Sequence, residues 1–151
     1  MNRAPLSRAR HRLATPWATL VENGIEILVA AGAIAAGAVQ LLTGIVAPSI
    51  ATTLDPFAQR LWFLYLVVGG LLTILGVFAR SPENLLAGIR QEAVGLTILG
   101  TGLLVYGIAI LAQGIPELLA GGLFFTSVGL GMFFRLVWLR RFVRTVEEVS
   151  R

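Results

Sequence analysis

The sequence predicts an all-α membrane protein, a bundle of four transmembrane helices. Three observations carry this reading. Of 151 residues, 56% are hydrophobic and 13% are charged, against roughly 25% charged in an ordinary soluble domain. Four apolar runs, at about 25–46, 61–79, 93–112 and 118–134, approach the roughly 20 residues that a spanning helix needs. These runs also lack the polar stripe of a soluble bundle helix. No strongly polar residue lies between Ile27 and Gln40, and no charge between Leu61 and Ala79.

The elements follow in order. Residues 1–15 form a basic tail. Thr15-Pro16, Asp55-Pro56 and Ser81-Pro82 place an N-capping side chain just before a proline, the preferred arrangement at a helix start. Ile115-Pro116 opens the fourth helix without a capping side chain. Pro48 is expected to stop the first helix, and Gly114 suits the C-terminal cap of the third. The helices are therefore expected at about 16–46, 56–79, 82–112 and 116–148, within a membrane domain over 16–139. The few residues between the third and fourth make these an antiparallel hairpin. Residues 140–151 form a basic amphipathic extension, in which Leu139, Phe142, Val143, Val146 and Val149 recur at helical spacing. The first apolar run exceeds the about 7–15 residues of a signal-peptide core and lacks a clean cleavage site, so it is read as a retained span.

Arginine supplies all the basic charge, and the net charge is +4. If the spans alternate, Arg60 lies alone on one side and the other eleven arginines lie opposite. The positive-inside rule then places both termini and the middle loop in the cytoplasm, so the expected location is the cytoplasmic membrane. Trp17, Trp62 and Trp138 fall near expected interfaces, where tryptophan is favoured. The arginines cluster at span ends and not on one folded face, so nucleic acid is not an expected partner.

A shift of 70 residues superposes Glu22 on Glu92, Gly32 on Gly102, Gly37 on Gly107 and Gly44 on Gly114. Later, Gly76-Val-Phe-Ala-Arg80 matches Gly131-Met-Phe-Phe-Arg135. This reads as two repeated helical hairpins; chance registers in a glycine-rich chain are the alternative.

Small residues four apart let membrane helices approach closely. The candidates are Gly32 with Ala36, Ala33 with Gly37, and Gly121, Gly122 and the Ser127/Gly131 pair on the fourth span. They serve either packing within one chain or self-association. The candidate polar groups inside the spans are Gln40, Thr101 and Tyr106. The span threonines can bond their own helix carbonyls. Glu22 and Glu26 lie four apart near the start of the first span, as interfacial carboxylates paired with arginines or as a cation site. Arg135, Arg140, Arg141 and Arg144 are the candidate interfacial cations, placed to touch anionic headgroups.

No catalytic set is visible. The chain has no cysteine and one histidine, His11, in the basic tail, and Asp55 is its only aspartate. No serine–histidine, paired-aspartate or His-Glu-x-x-His set is visible, so an enzyme is not expected. There is no phosphate-binding glycine loop, and no cofactor or metal is expected. The expected partners are the bilayer with its anionic headgroups and either further copies of the chain or a larger membrane complex.

The stretch Arg90-Gln-Glu92-Ala-Val-Gly95-Leu96, with Val105-Tyr106-Gly107-Ile108-Ala-Ile110 and the closing Arg135, resembles small membrane proteins encoded by phages of GC-rich bacteria. Some of that group are holin-like. The resemblance covers the second half of the chain best. It implies a non-catalytic protein that self-associates in the cytoplasmic membrane and opens lesions. An accessory subunit of a larger membrane complex is the alternative, and a small transporter or channel subunit the third reading.

Overall fold

The computed structural model describes residues 23–149 apart from Ala47 and Pro82. The described chain forms α1 (Gly24–Thr43), α2 (Pro48–Thr53), α3 (Pro56–Phe78), α4 (Leu85–Ala112) and α5 (Pro116–Val149). All except α2 are long and apolar enough to cross a membrane. Large apolar side chains face outward on each of these four, including Leu28, Leu42, Phe57, Val105 and Phe134. A surface so apolar is stable against lipid and not against water, and the architecture is that of a multi-pass membrane protein.

The helix ends show which punctuation acts. Asp55 caps α3: its carboxylate accepts the N–H groups of Phe57 and Ala58 at 2.9 and 3.1 Å. Asp55→Ala is expected to cost about 1 kcal/mol of helix stability, measurable as an earlier midpoint in detergent unfolding. The start of α1 expected at residue 16 lies outside the described residues. Its end is not at Pro48. Gly44 adopts φ 67°, and its N–H closes on the Gln40 carbonyl. This left-handed stop suits glycine, which has no Cβ to clash. Pro48 instead opens α2, at the position where proline is favoured. The start of α4 also shifts. The Ser81 hydroxyl accepts the Asn84 N–H at 3.2 Å, closing a turn before the helix. Arg90 lies in the second turn of α4. Gly114, with φ 65°, ends the α4 turn as Gly44 ends α1.

Consecutive long helices pack antiparallel: α1 on α3, α3 on α4 and α4 on α5. Close approach is made by glycine. A Cβ at Gly70 would meet the Ala30 carbonyl at 2.7 Å, and one at Gly37 the Phe63 carbonyl at 2.8 Å. Between α3 and α4, a Cβ at Gly69 would meet the Leu99 nitrogen at 2.8 Å, and Cβ atoms at Gly76 and Gly95 would overlap the backbone of Glu92 and Thr73. Between α4 and α5, Gly107 faces Thr126, and Gly129 faces Leu104. In lipid, packing of this closeness drives helix association, because apolar burial supplies little. Leu66, Leu96, Leu99, Leu103 and Tyr106 fill the core.

Trp62, near the start of α3, is buried against α4: its indole N–H donates to the Gly102 carbonyl at 3.0 Å, and its ring lies 4.5 Å from that of Tyr106. Trp138 is exposed and stacks on Phe142 at 5.7 Å. Trp17 lies outside the described residues. The basic C-terminal stretch does not separate from the bundle. α5 runs unbroken for 34 residues, Leu139 joins the core, and Val143 packs against it. The side chains of Val146 and Val149 lie outside the described residues.

Candidate functional site

Side chains from the start of α1, the end of α3, the third turn of α4 and the middle of α5 converge on one charge cluster. Glu92, in the third turn of α4, is fully buried. It pairs with Arg80, just past the end of α3, and with Arg135 of α5, whose Nε lies 3.6 Å from Glu92 Oε1. The same Nε lies 3.2 Å from Glu26 Oε2, in the first turn of α1. Arg135 also donates to the Asn23 side-chain oxygen at 2.6 Å. Asn23 occupies the N-cap of α1 without capping it, because that oxygen serves Arg135. The guanidinium sits over the Trp138 ring, 4.6 Å from its centroid.

The physical logic is charge matching. Burying one carboxylate costs several kcal/mol unless good partners offset it, and here two carboxylates meet two guanidiniums. Glu26 at the start of α1 and Arg80 at the end of α3 also face favourable ends of the helix dipoles. Depth explains why such a cluster is tolerated. Glu92 lies about 33 Å along α4 from the Gly114 turn, at 1.5 Å per residue. A hydrocarbon core is about 30 Å thick, so with that turn at one face the cluster sits at the edge of the other.

The cluster closes one end of an open cleft. α1 packs on α3, but among the described residues nothing seals the bundle between α1 and α5. A 420 Å³ cavity beside Asn23, Glu26, Gly131 and Arg135 adjoins a 390 Å³ cavity between Gly32 and Ala36 on one wall and Phe124 and Phe125 on the other. Val29 and Val128 line both. Gln40 lines the second cavity and a third, of 440 Å³, that reaches Arg60; its buried Oε1 has no hydrogen-bond partner.

The expected packing residues therefore divide into two groups. Gly37 faces α3 within the chain, Ala33 is buried, and Gly122 packs on Leu111 and Ile110 of α4. Gly32, Gly121 and Gly131 have nothing within 4 Å of a Cβ position, and Ala36 and Ser127 are exposed. Of the polar candidates, Tyr106 is buried between Trp62 and Phe125. Thr101 is exposed on the lipid side. Thr73, Thr97 and Thr126 bond their own helix carbonyls. Glu22 lies outside the described residues. Arg135 is an internal ion-pair partner, whereas Arg140, Arg141 and Arg144 are exposed.

Glu92, Arg80 and Asn23 are absent from the candidates that the sequence suggests. A signal for them exists: the proposed repeat aligns Glu22 with Glu92 and Arg80 with Arg135. Corresponding landmarks recur in space. Gly44 and Gly114 both end helices in the left-handed region, and Gly37 and Gly107 both contact the helix that follows in their hairpin. No family model, curated protein or solved structure matches the chain.

Proposed function

We propose that this is a non-catalytic protein of the cytoplasmic membrane that associates side by side with further copies of itself through the α1/α5 face. The observation that carries the reading is the unsealed cleft. Gly32 and Gly131 line it from opposite walls with open space at their Cβ positions. Small residues let another helix approach closely in lipid, and these two have no neighbour within 4 Å of their Cβ positions among the described residues. Holin-like lesion formation is the sharpest form of this proposal, and service as an accessory subunit is its alternative. The proposed orientation keeps both chain ends cytoplasmic, because Arg80, Arg90, Arg135, Arg140, Arg141 and Arg144 share one end of the bundle while Arg60 lies at the other.

The absence of cysteine makes the test direct. Gly131→Cys is expected to form disulfide-linked dimers in membranes under mild oxidation, whereas Leu71→Cys on the outward face of α3 is not. Gly32→Leu should abolish both the cross-link and any depolarisation that follows inducible expression. Equal cross-linking at the two positions refutes the α1/α5 interface. Failure of Gly131→Cys to cross-link, with capture of a larger membrane subunit in mild detergent, moves the reading to the accessory role. The three adjoining cavities favour a second reading, a transporter or channel subunit with its path along α1. On that reading Gly32→Leu leaves association intact and stops a leak.

A further inference from the structure

The cavity beyond Val29 and Val128 holds a polar group that neither the charge cluster nor the glycine seams use. This 390 Å³ space has a floor of buried side chains, Trp62, Leu66, Leu103 and Tyr106. Its rim is exposed at Gly32, Ala36 and Phe124. Gln40 reaches it from α1, and the Gln40 Oε1 is buried without a hydrogen-bond partner among the described residues. Leaving an amide oxygen unpaired in an apolar site is costly. The Trp62 N–H does not relieve it, because that donor is spent on the Gly102 carbonyl. An ordered water needs about two to four polar partners, and these walls are mostly hydrocarbon and ring. The rings adjoin one another: Trp62, Tyr106, Phe125 and Phe124 follow with centroids 4.5, 5.1 and 5.6 Å apart. Gln40 lies about 6 Å along α1 from the Gly44 stop, and Tyr106 about 12 Å along α4 from the Gly114 turn. The cavity is therefore reached from within the hydrocarbon, and its ligand must be soluble there.

We propose that this cavity binds a neutral, lipid-soluble phenol or quinol, its ring among Trp62, Tyr106 and Phe125 and its hydroxyl on the Gln40 amide. A hydroxyl both donates and accepts, so it can pair with either end of that amide. Aromatic guests pack on such rings in offset or edge-on geometry. The volume suits a small molecule, whose sites run from about 300 to 1,000 Å³ and set a few polar groups in an apolar lining. An organic cation would also find ring faces, but Gln40 offers it a dipole and no countercharge, and a bare charge at this depth is costly. A neighbouring copy would meet Gly32 at the rim and leave the floor to the ligand, so binding does not depend on association.

The test uses the full chain in lipid–detergent micelles, with Trp62 kept as the single tryptophan by Trp17→Phe and Trp138→Phe. The probes are 4-bromophenol and bromobenzene. The bromine of each quenches tryptophan on contact, and the phenol alone carries a hydroxyl, uncharged at neutral pH. Quenching is expected to saturate, at about tenfold lower micellar concentration for the phenol, the worth of one hydrogen bond in a dry site. Gln40→Leu should raise the phenol's half-quenching concentration about tenfold and that of bromobenzene less than about twofold. Gln40→Met, closer in shape, should do the same, and Thr101→Val on the lipid side should change neither. Replacing an unpaired acceptor by an apolar group is nearly neutral for folding, with unchanged unfolding midpoints as the check. Quenching that does not saturate, equal values for the two probes, or a phenol preference that survives both Gln40 variants overturns the proposal. A lower half-quenching concentration for 4-bromobenzylammonium than for the phenol also overturns it, and assigns the cavity to organic cations.

Discussion

Glu92→Ala is expected to be the most damaging removal of a single side chain. It leaves Arg80 and Arg135 beside each other with Glu26 as the remaining carboxylate of the cluster. Breaking a buried pair in this way typically costs about 3–5 kcal/mol, because the surviving charge stays desolvated. The measurement is the unfolding midpoint in mixed detergent micelles. Arg80→Ala alone should also destabilise. The double variant should lose less than the sum of the two, with a coupling of about 0.5–3 kcal/mol. Additive losses would mean that the two side chains act independently, and the cluster would then not be one unit.

The second large effect is expected at Gly76. A Cβ there would fall on the backbone nitrogen of Glu92 and 2.6 Å from its Cα. Neither is the tip of a flexible side chain, so α3 and α4 must separate. Gly76→Leu is expected to cost at least the upper end of the about 1–3 kcal/mol typical of overpacking. It should also disturb the Arg80–Glu92 pair, since the same close approach positions both. Gly131→Leu is the control. With nothing within 4 Å of its Cβ position, it should leave monomer stability within about 0.5 kcal/mol. Equal losses at the two positions would refute the distinction between seam and open face.

The charge cluster and the seams suggest how the molecule divides its labour. Glycine contacts fasten each long helix to the next in sequence, and they leave the first and last of them unsealed. Arg135 ties α5 to the start of α1 through Asn23 and Glu26. Among the described residues the cleft is thus latched at its charged end, while the Cβ positions of Gly32 and Gly131 have nothing within 4 Å.

The sequence by itself determined the class of the molecule, its four long helices and several of their ends. Apolar length is a property of the chain alone, because every backbone group must be satisfied inside a span and a helix does this locally. Asp55-Pro56, Pro116 and Gly114 act as read, since caps and left-handed stops are decided within one turn. Pro48 was ambiguous for the same local reason: a proline can follow one helix or open the next, and Gly44 decides which. Which glycines are seams was left to tertiary structure. Gly32 and Gly37 look alike in sequence, yet Gly37 meets α3 and Gly32 meets open space. Helices apolar on every side carry little amphipathic signal to mark the inward face, because lipid and protein interior are equally apolar. Seven-residue spacing in Gly69/Gly76, Gly88/Gly95, Gly100/Gly107 and Gly122/Gly129 would have marked the seams, since it returns to the same helix face after two turns. Glu92 was hidden for a related reason. A carboxylate at the end of an apolar run looks solvated until the arginines that bury it arrive from two other helices, and only the packing of α3, α4 and α5 brings them there.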